Sequence, residues 1–454
     1  MSRASRARRC PFGGMPCWAC YPLAVEATWV PSMQIERLSR RGLLYGSFAS
    51  LLGGCATAPG RSTQGPPLVP IDARVDRIMD ITVCVRPFRP AGPRIEAESL
   101  GDTLVVHNYG HGGSGWSLSW GSSTRAVRLA MQSSPREVAV IGCGVLGLTS
   151  AILAQRAGAR VTIYAREQLP LTTSARATGE WTPDSRIALR HAAAPDFGDV
   201  WEEMARTAFA AHRAYLGVSG TPVEIADQYS VSSDPPQDPA NILNGAPAVD
   251  FASYSRRIAD LMPPSQPLSA DASPFEAASV WRGEVMVFNL TLYGQILLGE
   301  FFKAGGQFQR VDFQSPAEIV ALGKKVVINC TGYGARALWQ DDSLVPVRGQ
   351  IAHLVPQSDV HYGVVYRRVL AVPRRDGIVV QSFEGGEAEG YGIADETVDR
   401  AQSVQAVTTL AELFAPPRWR GSGAQASRAP YTREAASQAM STMAPARLTM
   451  TEPT

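Results

Sequence analysis

Short apolar runs separated by amphipathic stretches set the plan of this chain. Residues 138–141 (VAVI) are apolar throughout, as a strand buried on both faces requires. Residues 148–155 continue as an apolar helix ending near Gly158, and 160–164 (RVTIY) alternate as a second strand. Together they predict a β-α-β unit of about 30 residues. Upstream, 78–89 read as a strand, 105–108 as another, and 116–131 as a helix interspersed with Ser and Arg. Downstream, 200–215 read as a helix, 223–230 and 279–288 as strands, and 290–303 as an amphipathic helix closed by Gly305 and Gly306. A buried strand at 325–329, strands at 351–355, 369–372 and 377–382, and a helix near 402–415 complete the pattern, while 232–274 read as loops. The fold class this predicts is α/β: a discontinuous Rossmann-like domain beside a second domain on a mixed antiparallel sheet. A length of 454 residues accommodates two or three domains.

Two glycine-rich turns add chemistry to that plan. Residues 142–147 (GCGVLG) are GxGxxG between the first strand and its helix, the context in which this motif binds a dinucleotide. Gly142 permits the tight turn, Gly144 lets a pyrophosphate approach the backbone, and Gly147 lets helix and strand pack closely. Val145 and Leu146 stand at the helix N-terminus, whose N–H groups and dipole favour the phosphates. The second turn, 110–115, abuts the helix beginning at Trp116 and makes another place where N–H groups face a ligand. After RVTIY an acidic residue is expected for the ribose hydroxyls; Glu167 is the candidate, one place later than ideal. Arg166 beside it raises the alternative of a phosphorylated ribose. Thr172 and Thr173 suit hydrogen bonds to pyrophosphate or flavin, or equally the turns of their own loop. Thr331 and Gly332 follow the strand at 325–329, at the end where open α/β sheets bind ligands.

Charge and the N-terminus place the chain. A net charge of +2 without a long basic run excludes nucleic acid as the expected partner. Residues 1–32 lack periodicity and hold Cys10, Cys17 and Cys20; either they form part of a metal site or translation begins at Met33. From there Arg37, Arg40 and Arg41 precede an apolar stretch, 42–54, too short to span a bilayer. Residues 39–44 (SRRGLL) resemble a twin-arginine export signal and 52–55 (LGGC) a bacterial lipobox with Cys55 the lipidated residue. The expectation is export to the periplasm and membrane anchoring as a lipoprotein, with 57–70 as tether. Cys55, Cys84, Cys143 and Cys330 show no paired spacing. The segment 417–454 has no sustained period and reads as a disordered tail.

Six ordered motifs carry a resemblance to the D-amino-acid oxidase family of flavoproteins. HNYGHGGSG at 107–115 with WG at 120–121 resembles that family's C-terminal signature, and CVRPFRP at 84–90 the segment upstream of it. VAVIGCGVLG at 138–147 resembles its N-terminal fingerprint, and PLTT at 170–173 with GEWTP at 179–183 the next flavin-contacting loop. VINCTG at 327–332 and RGQI at 348–351 match two later landmarks, so the resemblance covers roughly 80–415. The order departs from the family, because the usual C-terminal block comes first. We read this as a circular permutation, with an assembly artefact as the alternative; chain ends lying close together make such a rearrangement tolerable.

The resemblance implies FAD as cofactor, held by Gly112, Gly113, Gly115, Gly142, Gly144, Val145, Leu146, Gly147, Glu167, Thr172, Thr173, Trp181, Thr331 and Gly332. It implies Arg86 as the clamp on a substrate carboxylate, Tyr366 as a hydrogen-bond donor to it, and the Gly113 carbonyl as acceptor for the amine. Arg89 competes for the clamp, Arg86 is also readable as an ion-pair residue, and Tyr366 as an ordinary strand residue. A second family tyrosine is replaced by Leu370, which alters the pocket roof. His107 and His111 are taken as structural. The implied activity is oxidative deamination of small (D-)amino acids to 2-oxo acids, by hydride transfer from Cα to flavin, with dioxygen or a quinone-type acceptor reoxidising it. A glycine- or sarcosine-type amine oxidase and a non-catalytic flavin-binding lipoprotein are the alternatives, and a homodimer is allowed. The expected domains are the export segment 1–56, linker 57–73, FAD domain 74–185 and 315–347, substrate domain 186–314 and 348–416, and tail 417–454.

Overall fold

The glycine fingerprint and its flanking apolar runs fold as one unit: β4 (Glu137–Ile141), helix α2 (Val145–Arg156) and β5 (Arg160–Ala165), with β4 and β5 parallel. The computed structural model describes residues 68–233, 249–416 and 418–419. The export signal, Cys55, the tether up to residue 67 and nearly all of the tail lie outside the described residues. Around the unit a six-stranded sheet runs β2 (Ala97–Leu100), β3 (Thr103–His107), β10 (Val326–Asn329), β4, β5, β9 (Gln307–Arg310). All pairings are parallel except the β2–β3 hairpin. The inner strands β10 and β4 are apolar because both faces are covered, and Val138, Ala139, Val140, Val327 and Ile328 are fully buried or nearly so.

A larger, eight-stranded sheet runs β1 (Ile78–Phe88), β11 (Val345–Leu354), β14 (Gly377–Ser382), β13 (Val369–Arg374), β12 (Tyr362–Tyr366), β6 (Val223–Ser232), β8 (Ser279–Phe288), β7 (Gln266–Pro267). It is antiparallel throughout except between β12 and β6. The mixed α/β architecture with two sheets is therefore the one the pattern predicts. Two stretches depart from the expected division. β1, within 74–185, joins the larger sheet, because its eleven residues find a ten-residue partner in β11. β9, within 186–314, extends the smaller sheet as a polar edge strand.

The helices are α1 (Gly115–Ala130), α2, α3 (Phe197–Arg213), α4 (Leu290–Lys303), the short α5 (Pro316–Val320) and α6 (Ala335–Leu338), and α7 (Arg400–Phe414). α1 is buried between α2 and α3, and its small residues are what allow that closeness. A Cβ on Gly121 would stand 2.0 Å from the Met204 carbonyl oxygen of α3. Two serines of α1 are satisfied sideways: Ser122 Oγ donates to Asn108 Oδ1 (3.1 Å), and Asn108 Nδ2 donates to Ser123 and to Ser150 of α2 (3.2 Å each). Buried hydroxyls without such partners would cost about 1–3 kcal/mol each. Among the described residues no helix is long and apolar enough to cross a membrane.

Candidate functional site

The carboxyl ends of β4, β5 and β10 open onto a cavity of about 1060 Å³, whose far wall is the larger sheet. That volume is at the upper end for small-molecule sites, roughly 300–1,000 Å³. At its floor Gly142 has φ +100°, and a Cβ there would lie 2.5 Å from the Cys330 carbonyl oxygen. Gly147 sits where a Cβ would be 2.0 Å from the Gly142 carbonyl oxygen, so helix and strand meet backbone to backbone. Gly144 is the N-cap of α2, and the Val145 N–H donates to Ser174 Oγ (3.0 Å).

The other glycine turn reaches the same cavity from β1. Pro87 of β1 stands directly opposite Pro346 of β11. With no N–H on either side, this pair exchanges no ladder bonds, and their carbonyls point away from each other. The Pro87 carbonyl accepts the Gly112 N–H (2.7 Å) and the Pro346 carbonyl accepts that of Gly392 (2.9 Å). Gly112 has φ +55° and a Cβ there would stand 2.0 Å from the Arg186 carbonyl oxygen; Gly113 N–H donates to Ser185 (3.1 Å).

Arg86 enters the cavity beside this turn. Its guanidinium lies flat on Gly349, where a Cβ would be 2.4 Å from it, and Nη1 donates to the Arg348 carbonyl (3.3 Å). Arg89 turns instead to Asp341 (3.2 Å) and Ser343 (2.9 Å) and does not line the cavity. Thus the cavity brings together Arg86, Gly112, Gly113, Gly115, Gly142, Gly144, Val145, Leu146, Glu167, Thr172, Thr173, Thr331 and Gly332.

Three expected residues stand apart from it. Gly147 packs behind the fingerprint. Trp181 is half-buried against Phe209, ring centroids 4.8 Å apart, while its neighbours Glu180 and Thr182 line the cavity. Tyr366 is 1% exposed on the opposite face of the larger sheet, among Tyr362, Val364 and Val369, and its hydroxyl meets Arg418. Strand alternation explains its position: Tyr366 pairs directly with Val369, and Leu370, one place further along that strand, faces the cavity, so Tyr366 does not. Arg367 and Arg368 form the hairpin turn with φ +45° and +59°, Arg367 paired with Glu412 (2.7 Å). His107 is fixed between Asn329 (3.0 Å) and Glu98 (2.9 Å), and burial lowers its pKa. His111 lines the cavity, and burial pushes it down to about 3.

Two cavity residues escaped the sequence reading. Glu180 is half-buried, with its Oε1 buried and unpartnered; desolvation pushes its carboxyl up to about 7 against a bond from Gln228. Arg186 is 3% exposed at φ +51°; burial, then the nearby Arg86, bring it down to about 9. In the string GEWTPDSR both look like solvated loop charges, because burial of a loop is set by what packs over it.

The donor set fits FAD. The glycine cradle would be filled by any Cβ, the N-terminus of α2 opens into the cavity, and buried Thr172 Oγ1 has no partner. Glu167, two residues beyond the end of β5, lines the same cavity.

Comparison with known proteins gives matching results. Residues 137–435 match the family model described as DAO, FAD dependent oxidoreductase. A D-amino-acid oxidase of Streptomyces coelicolor is 29% identical over 233 residues, 50% of this chain and 62% of that protein. One of Rubrobacter xylanophilus is 29% identical over 217 residues, 47% of this chain and 57% of that one. The matches thus span about three fifths of these relatives' length. The solved L-amino acid deaminase from Proteus vulgaris is 13% identical, with a TM-score of 0.38, over 55% of this chain and 60% of that one.

Proposed function

Since the chain belongs to the DAO family of FAD-dependent oxidoreductases, we propose that it oxidatively deaminates small α-amino acids of D configuration to 2-oxo acids and ammonia. Bound FAD supplies the two-electron acceptor for the hydride leaving the substrate Cα, and dioxygen or a quinone-type acceptor takes the electrons on. The chain's own work is placement. Gly142, Gly144 and the N-terminus of α2 hold the pyrophosphate, Glu167 the ribose, and Thr172, Thr173, Thr331 and Gly332 the remaining polar edges. Arg86 presents a planar fork that pairs bidentately with the α-carboxylate. The Gly113 carbonyl accepts from the amine, so Cα–H is oriented by proximity alone. The single observation that carries this reading is the convergence of Arg86, the 110–115 turn and the GxGxxG helix end on one cavity.

Tyr366 has no part in this proposal. Leu370 in the roof is the observation that favours the non-catalytic alternative, and the same experiment separates the two. The chain from residue 57 onward would be purified and its visible spectrum followed without oxygen as D-alanine, D-aspartate, glycine, sarcosine and the L-forms are added. Bleaching of the flavin band by D-isomers, with a second-order rate of reduction lowered at least about hundredfold in Arg86→Lys, is the expected result. Bleaching by glycine or sarcosine alone would move the assignment to amine oxidation. Bound flavin that no amine reduces would end the catalytic reading.

Two finer readings belong to the same proposal. The block 80–131 is the family's C-terminal block moved to the front; the placement of β3 beside β10, and the five residues that follow Met131 before β4, support it. The chain is exported and anchored through Cys55, as the motifs at 39–44 and 52–55 suggest. Loss of labelling by a palmitate analogue in Cys55→Ala cells would be the expected sign of the anchor.

A further inference from the structure

One end of the cavity is built from two guanidiniums. Arg86 comes from β1 and Arg186 from the loop that follows Trp181, and both also line a small adjoining void with Gln350 and Gln381. Arg186 is almost wholly buried. Its Nε donates to the Glu387 carbonyl (2.6 Å) and Nη1 to Ser185 Oγ (3.1 Å), while Nη2 has no partner. Among the described residues no carboxylate oxygen stands within 4.0 Å of either guanidinium.

The surrounding acids are engaged elsewhere. Glu389 accepts from the Gly385 N–H (2.7 Å) and Gln402 (3.1 Å), Glu396 lies 3.6 Å from Arg176, and Asp184 takes Ser253 (3.0 Å) and the Ser255 N–H (3.1 Å). Burial pushes the carboxyl of Glu387 toward its neutral form, against the field of Arg186. A buried guanidinium without a counter-ion is costly, and a second cation beside it raises the cost. The position is nonetheless firmly built: the left-handed backbone of Arg186 is held by Gly112, whose bare Cα alone leaves room for the Arg186 carbonyl.

One α-carboxylate satisfies Arg86 and leaves Arg186 uncompensated. We propose that Arg186 binds the side-chain carboxylate of a dicarboxylic amino acid whose α-carboxylate Arg86 holds, so that acidic amino acids are the substrates. This rests on the proposed function, and its test separates the two. The FAD-loaded protein and Arg186→Met would be titrated with succinate and with butyrate, both unreactive, following the flavin spectrum. Reduction without oxygen by D-aspartate and D-glutamate would be compared with D-asparagine and D-glutamine.

Succinate should bind the wild type at least about tenfold more tightly than butyrate. Arg186→Met should abolish that difference and leave butyrate affinity within about twofold. D-aspartate or D-glutamate should reduce the flavin with at least about a tenfold advantage in second-order reduction rate over its amide. Equal binding of the two acids by the wild type overturns the inference, and that titration needs no variant to fold. Equal weakening of both ligands in Arg186→Met overturns it too, because Arg186 would then serve the shared carboxylate. If neutral D-amino acids reduce the flavin as well as acidic ones, the inference falls and the proposed function stands. If succinate is preferred but no amino acid reduces the flavin, the two-anion site stands and the function falls.

Discussion

Glu180 shows most directly what a single desolvated carboxyl does to the behaviour of the protein. Its carboxyl, ordinarily near 4.5, is carried up to about 7 by burial. In the unfolded chain it ionises first, so folding must reprotonate it as pH rises above 4.5. The resulting penalty is absent below pH 4.5, grows through the window to about 7, and then stays constant at about 3 kcal/mol. Glu180→Gln should therefore match the wild type at pH 4.5 and exceed it at pH 8 in urea denaturation. Parallel stability profiles for the two proteins would remove the claim. Which residues line the cavity was legible where a motif fixed the backbone, as at Gly142, Gly112 and Arg86. It was not legible for Glu180, Arg186 or Tyr366, whose roles depend on which face of a strand or loop is covered.

At the level of elements, α1 depends on a polar hub that hydrophobic periodicity does not reveal. Asn108 ties three serine hydroxyls of two helices to the end of β3. Asn108→Ala should lose about 2–3 kcal/mol in urea denaturation, and Asn108→Asp more, since it buries an unpaired charge. A loss below 0.5 kcal/mol, roughly that of a surface change, would show the hub to be idle. Strands β4, β5, β8, β10, β13 and β14 were readable because buried or half-buried strands have a clear period. β2 (AESL) and β9 (QFQR) were not, being short polar edges held by backbone bonds alone. β11 begins at Val345, six residues before the expected 351, because Pro346, Arg348 and Gly349 disguise a segment that pairs residue by residue with β1.

For the whole molecule, the N-terminal block builds both sheets at once: β1 edges the larger and β3 enters the smaller. If the block has been moved within the gene, transferring 68–131 to follow residue 416 should give a folded protein that still binds FAD, read by its visible spectrum and thermal unfolding. Failure of that rearranged chain to fold, with a well-tolerated linker, would count against the permutation. The α/β class was legible throughout, whereas the share each stretch gives to each sheet was not, because sheet membership is decided by partners far along the chain. The facing prolines of β1 and β11 then acquire a meaning for the molecule as a whole. A strand that slips one place along its neighbour turns every side chain to the other face. Here such a slip would set Pro87 where the ladder demands an N–H, so the pair acts as a parity lock. It decides that Arg86 emerges on the cofactor's side of the sheet rather than on the other.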